Sequence, residues 1–285
     1  MKLLAFDLDG TLLTSNQEIA ESSLKAIREF VDKGNKMCIV SGRNYDIVKP
    51  IVDTYHLHCD LLLNNGHQYI SSDDKVKKEI PMNQATSIKI LEILLNYNFH
   101  FALHTDQGKY IFADKEQFFN DHITMAKKKR NGTLGNVEHA PLFVKKYFLA
   151  NTHQVHTIDE FIASGAKILK IDARNFNQEN LKAGKAQILA ISSIAIHSSF
   201  EAFLEITSKD ANKATLLNDY AKEIGVDHHD IYVFGDSMND LELFESFPNS
   251  IAMGKSSQPI LKLAKWITDT NDNDGIYKAI ETHIN

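Results

Sequence analysis

Two short apolar runs at opposite ends of the chain constrain its fold more than any other feature. Residues 3–6 (LLAF) and 231–234 (IYVF) each suit one buried strand, and each leads directly into an acidic motif. The motifs are DLDGT at residues 7–11 and GDSMND at residues 235–240. Their carboxylates are therefore expected at the carboxyl edge of a buried sheet, which is where open α/β sheets bind ligands.

Strand and helix patterns alternate near both ends of the chain, as in a doubly wound α/β fold. Between residues 83 and 206 the pattern changes to hairpins, which belong to antiparallel sheets. Because the chain of 285 residues exceeds the usual domain size of about 100–150 residues, two domains are expected. We predict a Rossmann-like core with a parallel sheet, formed by residues 1–82 and 207–285, and an inserted α+β domain at residues 83–206.

The pattern also predicts the individual elements of each domain. The predicted elements of the core are strands at residues 3–6, 36–40, 60–63 and 231–235, a hairpin at 68–80, and helices at 21–33, 214–224, 241–244 and from Pro259. Those of the inserted domain are helices at 87–96 and 116–130, β-like runs at 99–104, 109–113, 167–172, 191–197 and 202–206, and a loop at 131–141.

Composition excludes several classes of partner. The net charge of −6 gives no electrostatic footprint for nucleic acid. Asp7 interrupts the first apolar run too early for a signal peptide, and no later stretch is long enough to span a membrane. Cys38 and Cys59 are too few for a disulfide framework. We expect a soluble, cytoplasmic protein with both cysteines reduced and buried.

The acidic motifs suit phosphoryl transfer. A carboxylate can attack phosphorus and form an aspartyl-phosphate, and a second carboxyl group can protonate the departing oxygen. Asp7 and Asp9 fit these jobs, since residues at i and i+2 of an extended run share a face and Gly10 lets the chain turn away. A cation must neutralise the approach of two anions, and Mg²⁺ prefers oxygen ligands such as those of Asp7 and Asp236.

Four segments resemble, in order, the motifs of the haloacid dehalogenase-like hydrolase superfamily. Residues 6–13 (FDLDGTLL) resemble motif I, residues 40–43 (VSGR) motif II, Lys213 the lysine of motif III, and residues 235–240 motif IV. The long insert between motifs II and III is similar to the C2-type cap of the Cof-like subfamily. The resemblance covers essentially the whole chain and implies that the inserted α+β domain is a cap.

The resemblance also implies a role for each matching residue. Asp7 would be the nucleophile and a metal ligand, and Asp9 the general acid and base with its backbone carbonyl on Mg²⁺. Asp236 would complete the metal ligands. The phosphate would be held by the amides of Leu8 and Gly42 and by the side chains of Ser41, Lys213 and Asn239. Asp240 would support the metal shell and orient Lys213, and Arg43 would have a supporting role that its motif does not define.

Two departures from the family pattern leave specificity open. Residues 207–214 (TSKDANKA) lack the usual early proline and the glycine after the lysine. Lys255 stands where the subfamily usually has an asparagine, which would place a charge near the site entrance.

We predict a Mg²⁺-dependent phosphatase that acts on a small phosphorylated metabolite. Sugar phosphates are the first choice, and phosphorylated cofactors such as FMN or pyridoxal phosphate are the second. The alternatives are a phosphomutase of the same superfamily and a non-catalytic regulator that binds phosphometabolites. The protein would act as a monomer or homodimer, without nucleic acid or membrane.

Overall fold

The structure, a computed structural model of the chain, describes residues 1–129, 145–146, 149–197 and 202–284. Contacts divide the chain into two compact units. The core unit comprises Met1–Arg43, Val52–Glu79 and Ala211–Asn285, and the insert unit comprises Asn44–Ile51 and Ile80–Asp210. The domain limits at residues 82 and 207 stay a prediction.

The elements are numbered in chain order within the described residues. The strands are β1 (Leu3–Phe6), β2 (Lys36–Val40), β3 (Asp60–Leu63), β4 (Gln68–Ile70), β5 (Val76–Glu79), β6 (His100–Thr105), β7 (Gly108–Ile111), β8 (Thr152–Gln154), β9 (Ile168–Arg174), β10 (Ile194–His197), β11 (Phe203–Ser208), β12 (Ile231–Gly235), β13 (Asn249–Ala252) and β14 (Trp266–Ile267). The helices are α1 (Glu21–Asp32), α2 (Tyr45–Thr54), α3 (Gln84–Asn96), α4 (Lys115–Lys129), α5 (Ile158–Ala163), α6 (Gln178–Leu189), α7 (Lys213–Glu223), α8 (Leu241–Ser246), α9 (Gln258–Leu263) and α10 (Gly275–His283).

The core unit is built on one sheet, in the order β14-β13-β12-β1-β2-β3-β4-β5. β1 lies between two parallel neighbours, because Leu3 is in register with both Ile231 of β12 and Lys36 of β2. β4 and β5 extend the sheet as an antiparallel hairpin. The two ends of the chain therefore meet in one mostly parallel sheet, and the predicted α/β fold class is confirmed.

Side-chain alternation along β1 explains why helices flank this sheet. Leu3 and Ala5 belong to an apolar cluster that includes Leu217 of α7, Phe244 of α8 and Ile260 of α9. The other residues of the strand point to the opposite face of the sheet. Helix α1 buries one stripe of small and apolar residues, Ser23, Ala26, Ile27 and Phe30, and packs against α10.

The insert unit holds an antiparallel sheet with one parallel pair at its edge. Its strand order is β10-β11-β9-β6-β7-β8, and among these described strands only β7 and β8 run parallel. One face packs against α3 and α6, through residues that include Leu94, Leu103, Ile171 and Ile188. This unit is an α+β arrangement with an apolar core of its own.

The elements predicted from the sequence lie within three residues of their observed bounds. The largest error at a helix start is in α3, which begins at Gln84 because the Asn83 side chain accepts a hydrogen bond from the Thr86 amide. Arg130 and the predicted loop at residues 131–141 lie outside the described residues. The pattern did not identify α2, α5, α6, α10, β8, β13 or β14.

The sequence also predicted the state of the two cysteines and the lack of a membrane-spanning segment. Cys38 and Cys59 are both buried, as predicted, and they form no disulfide bond within the described residues. None of the described helices has both the length and the apolar character needed to cross a membrane.

Candidate active site

Two acidic motifs lie together at the carboxyl edge of the core sheet. Asp7 directly follows β1 and Asp236 directly follows β12, and these strands are parallel neighbours. The Asp7 amide donates to the Phe234 carbonyl at 3.0 Å, so the pairing continues one residue past β1. This pairing carries Asp7 into a buried position.

Lys213 joins the two motifs as a buried cation. It is the first residue of α7, which Asn212 caps by accepting a hydrogen bond from the Thr215 amide. Its Nζ lies 2.7 Å from Asp7 Oδ1 and 2.6 Å from Asp240 Oδ1, and its side chain is 1% exposed. Lys213 is therefore not a solvated helix residue but an ammonium group held between two carboxylates.

The second motif folds around Asp240. A short 3₁₀ turn at Met238–Asp240 returns the Asp240 carboxylate to the start of the motif. There its Oδ2 accepts hydrogen bonds from the amides of Asp236 and Ser237 at 3.0 and 3.1 Å. Since its Oδ1 contacts Lys213, both oxygens of Asp240 are engaged in holding the loop and the lysine.

The carboxylates form a cluster that suits a cation. One oxygen from each of Asp7, Asp236 and Asp240 lies within 4.8 Å of the others. Asp236 Oδ1 is buried and has no hydrogen-bond partner among the described residues. Hard divalent cations, of which Mg²⁺ is one, take oxygen ligands of this kind, so the donor set fits a divalent cation.

The pKa shifts indicate excess negative charge at this cluster. Burial, with Asp240 adding to it, raises the pKa of Asp7 well above its usual range, although Lys213 acts to lower it. Burial and Asp240 likewise raise the pKa of Asp236 to about 7. Burial acts to lower the pKa of Lys213, but Asp240 and Asp7 outweigh it and raise that pKa. One ammonium group does not balance three carboxylates, and a divalent cation would.

The Asp9 side chain pairs with Arg43. Its side chain is 56% exposed and forms a bidentate pair with Arg43, in which Nε donates to Oδ2 at 2.7 Å and Nη2 donates to Oδ1 at 2.5 Å. Arg43 Nη2 also donates to Gln17 Oε1. No sequence pattern singles out Gln17, and the role of Arg43 was left undefined by its motif.

Gly10 follows the two aspartates of the first motif, and glycine is needed there for a steric reason. Its φ of +81° is favourable only for glycine, and a Cβ atom there would lie 2.4 Å from Asp236 Oδ2. The turn after Asp9 therefore passes directly against the second motif. The sequence predicted the turn but not this contact.

The predicted phosphate-binding residues lie at the same edge of the sheet or in the adjoining turns. Ser41 and Leu8 are buried just past β2 and β1, and Gly42 follows Ser41. Ser41 Oγ accepts a hydrogen bond from the Arg43 amide at 3.1 Å. Asn239 is half-buried, and its Oδ1 accepts a hydrogen bond from Ser237 Oγ. Their contact with phosphate stays a prediction.

A turn that contains a glycine packs against the start of the helix that carries Lys213. The 3₁₀ turn Asn64–Gly66 follows β3, and Gly66 has a φ of +92°. A Cβ atom on Gly66 would lie 2.1 Å from the backbone oxygen of Asn212. This close approach fixes the residue that caps α7, and therefore the start of the helix that carries Lys213.

Comparison with known proteins identifies the family. A sequence model of the haloacid dehalogenase-like hydrolase family matches residues 4–280. The chain belongs to this family. One relative is the 5-amino-6-(5-phospho-D-ribitylamino)uracil phosphatase YwtE of Bacillus subtilis (strain 168), which is 27% identical over 282 residues, 99% of this chain and 97% of the relative.

Solved structures of haloacid dehalogenase-like hydrolases share the fold. One from B. subtilis has a TM-score of 0.87 at 22% identity and covers 100% of both chains. A subclass IIB sugar phosphatase has a TM-score of 0.77 at 20% identity, with coverage of 99% of this chain and 98% of the other. These matches show the fold, and the family match together with the near full-length relatives that are named phosphatases confirms a phosphatase of this family.

Haloacid dehalogenase-like phosphatases generally use a divalent metal. The cluster of Asp7, Asp236 and Asp240 supplies carboxylate oxygens at suitable spacing for one. The family and the chemistry of the cluster therefore agree on a divalent cation.

Proposed function

We propose that the protein is a Mg²⁺-dependent phosphatase that hydrolyses small phosphate monoesters, with Asp7 as the nucleophile. The observation that carries this proposal is the buried Asp7 carboxylate, which lies 2.7 Å from Lys213 and within the cluster formed with Asp236 and Asp240. An exposed aspartate in a turn would have neither a buried lysine at this distance nor two carboxylates beside it.

Asp7 and Lys213 carry out the first half of the reaction. An Asp7 oxygen attacks phosphorus, which forms an aspartyl-phosphate as the bond to the leaving oxygen breaks. Lys213 holds the carboxylate in place and offsets negative charge on the transferring group. Mg²⁺, when held by Asp7, Asp236 and the Asp9 carbonyl, would supply the positive charge that lets two anions meet.

Asp9 moves the proton. In its protonated form Asp9 gives its proton to the leaving oxygen; the resulting carboxylate later takes a proton from the water that attacks the aspartyl-phosphate, which releases inorganic phosphate and restores the acid form of Asp9. Both of its oxygens are bonded to Arg43, so Asp9 must exchange this partner for the substrate during the reaction. Arg43 is accordingly the residue that holds Asp9 before the substrate arrives.

The remaining predicted residues bind the phosphate. The amides of Leu8 and Gly42 and the side chains of Ser41 and Asn239 would donate hydrogen bonds to its oxygens. Residues 83–206 would act as the cap that selects the leaving group. Sugar phosphates remain the first choice of substrate, supported by the sugar phosphatase fold and by the ribityl phosphate in the name of the relative YwtE. A cytoplasmic monomer or homodimer completes the proposal.

The first test measures phosphate release from sugar phosphates, ribitol 5-phosphate, FMN and pyridoxal phosphate, with Mg²⁺ or with EDTA. Native protein should release phosphate only with Mg²⁺. Asp7→Asn should lower the rate by at least about 10³-fold, because the covalent nucleophile is lost. Asp32→Asn is the matched control, since Asp32 is an exposed aspartate at the end of α1, and it should keep the native rate.

Three other outcomes would favour a different function or contradict the proposed nucleophile. An isomeric sugar phosphate formed without inorganic phosphate would indicate a mutase. Metal-dependent binding of sugar phosphates without turnover would indicate a regulator. Equal rates for native protein and Asp7→Asn would contradict the proposed nucleophile.

A further inference from the structure

A tight turn, residues 14–18, follows the first acidic motif. The Thr14 amide donates a hydrogen bond to the Glu18 carbonyl at 2.8 Å, and the Gln17 amide donates to the Thr14 carbonyl at 2.9 Å. We call residues 14–18 the motif I turn. These bonds fix the backbone of Gln17, although its side chain is exposed.

The motif I turn is anchored to a loop near the other end of the chain. The amide and the hydroxyl group of Ser15 both donate hydrogen bonds to the Asp272 carboxylate, at 2.7 Å each. Just before the turn, the Leu13 carbonyl accepts a hydrogen bond from Asn271 Nδ2 at 2.7 Å. All of these residues belong to the core unit. The turn is therefore held by residues outside the two acidic motifs.

The backbone of Gln17 is strained. Its φ is 64°, a value that residues other than glycine adopt uncommonly, with asparagine, aspartate and histidine enriched among them. Every other described residue with a positive φ is a glycine, an asparagine, an aspartate or a histidine. Strain of this kind persists only where the surrounding structure imposes it, and it clusters at functional sites. The strain therefore raises the question of what the Gln17 side chain does.

The Gln17 side chain contacts the arginine that holds Asp9. Its Oε1 accepts a hydrogen bond from Arg43 Nη2, and the same nitrogen donates to Asp9 Oδ1. Arg43 Nε donates to the other oxygen of Asp9. Because Nη2 of a guanidinium carries two N–H groups, Gln17 and Asp9 do not compete for one proton. Both contacts can exist together.

The contact with Gln17 matters most when Asp9 leaves Arg43. The Arg43 side chain is only 22% exposed, so N–H groups that lose the Asp9 carboxylate have limited access to water. Donors that are buried without an acceptor cost free energy. The Gln17 oxygen stays on its anchored turn and keeps one acceptor in place. Since an amide is neutral, it does not replace the charge of Asp9, and the ion pair can form again afterwards.

We propose that Gln17 is a positioning residue of the reaction, which retains Arg43 at the motif I turn while Asp9 turns to the substrate. Without the Gln17 oxygen, the guanidinium follows Asp9 and stays bonded to it. A carboxyl group that is still paired reaches the leaving oxygen more slowly. This inference rests on the proposed function, in which Asp9 protonates that oxygen.

Two small phosphate esters that differ in their need for a proton test this role. Ethoxide must be protonated as it leaves ethyl phosphate, whereas 2,4-dinitrophenolate leaves its ester without a proton. Loss of the ester in single turnovers, with enzyme in excess, reports only the first half of the reaction. Gln17→Met has a side chain of the same length without the acceptor. It should slow this step about tenfold for ethyl phosphate, as expected for one lost hydrogen bond, and leave it unchanged for 2,4-dinitrophenyl phosphate.

Two further variants separate the hydrogen bond from the shape of the turn. Gln17→Glu keeps an oxygen acceptor and should retain at least the native rate on both esters. Asn16→Met is the matched control, because it places the same methionine one residue earlier, at another exposed position of the turn. It should leave both rates unchanged. An equal loss on both esters in Gln17→Met would show a merely structural role, and no loss on either would show that the contact is unused; each result would overturn the proposal.

A second measurement does not depend on catalysis. In ¹⁵N-arginine-labelled protein, the two Nη atoms of Arg43 give separate resonances while hydrogen bonds slow rotation of the guanidinium groups. They should stay separate in Asp9→Ala, where Gln17 still holds Nη2, and merge in the double variant Asp9→Ala with Gln17→Met. Merged resonances in Asp9→Ala, or separate ones in the double variant, overturn the positioning role. If native protein hydrolyses neither ester, the proposed function fails, and the arginine spectra still decide whether Gln17 retains Arg43.

Discussion

Lys213 is a buried cation whose two carboxylate partners come from opposite ends of the chain. Asp7 follows the first strand, and Asp240 belongs to the turn after β12. Taking an ammonium group out of water is costly, and only the pairing makes its burial tolerable. Without Lys213, Asp7 and Asp240 would face each other with no counter-charge between them.

Replacing this lysine should therefore destabilise the fold as well as stop catalysis. In EDTA, Lys213→Met should lower the free energy of unfolding by about 3–5 kcal/mol, the usual cost of removing one partner from a buried ion pair. Urea denaturation measures this change. Lys222→Met, an exposed lysine on the same helix, should stay within about 0.5 kcal/mol of native protein. Native stability for Lys213→Met would contradict the network.

Residues at strand ends are predictable from the sequence because local pattern places them. An apolar run followed by an acidic residue indicates a strand end, and this pattern alone puts Asp7 and Asp236 at one edge of the sheet. The pairing of Asp9 with Arg43 was not predictable. It depends on how side chains from two loops pack, and no local pattern encodes that.

At the scale of elements, the turn Asn64–Gly66 shows how one loop can position another. Asn64, Asn65 and Gly66 all have positive φ values, of 54°, 54° and 92°. Asparagine and glycine tolerate this backbone conformation better than other residues do. The compact turn lets Gly66 approach the backbone of Asn212 without a side chain between them.

Gly66→Ala should cost about 2–4 kcal/mol of stability, from backbone strain and from the overlap with Asn212. It should also slow phosphate release, because the start of α7 must shift and Lys213 shifts with it. Gly34→Ala is the matched control. Gly34 also has a positive φ, of 85°, but a Cβ atom there meets nothing within 4 Å.

The control should cost only the backbone strain, about 1–2 kcal/mol, and leave phosphate release unchanged. Urea denaturation and a phosphate assay on both variants separate the two effects. If the two alanine variants behaved alike, contact between Gly66 and Asn212 would have no energetic role.

Element prediction succeeded where short apolar runs were strong, and two of the missed helices contain a residue that interrupts the helical pattern. β1, β2, β3 and β12 were predicted because short apolar runs leave little choice. Helix α2 contains Pro50, a residue that normally ends a helix, and α6 contains Gly184. In α6, Gly184 is needed because a Cβ atom would lie 2.6 Å from Phe99 Cε2, a tertiary contact that local propensity does not include.

At the scale of the whole molecule, the two units have separate apolar cores. Leu217 of α7 belongs to the cluster of the core unit, and Leu94 of α3 belongs to that of the insert unit; both are fully buried. A sequence pattern can separate these units because parallel and antiparallel sheets need different connections. Which residues of the insert unit face its core depends on strand register, which the sequence did not define.

Leu217→Ala and Leu94→Ala should each cost about 2–5 kcal/mol, the usual range for a leucine cavity. Amide hydrogen exchange should report where each cost falls. Leu94→Ala should speed exchange in β6 and β9 but not in β1, and Leu217→Ala should do the reverse. Equal acceleration in β1 and β9 for either variant would mean that the two units unfold as one.

The place of β1 between β2 and β12 also governs how the protein can be made. The ribosome completes β12 only after the whole insert unit has been synthesised. Until then, one edge of β1, a strand of four buried apolar residues, has no neighbouring strand to pair with. Unpaired edges of apolar strands promote aggregation. A nascent chain that stops before residue 231 therefore has an unpaired edge on β1 and lacks Asp236 and Asp240, so the central strand pairing and the acidic cluster are completed in the same late part of translation.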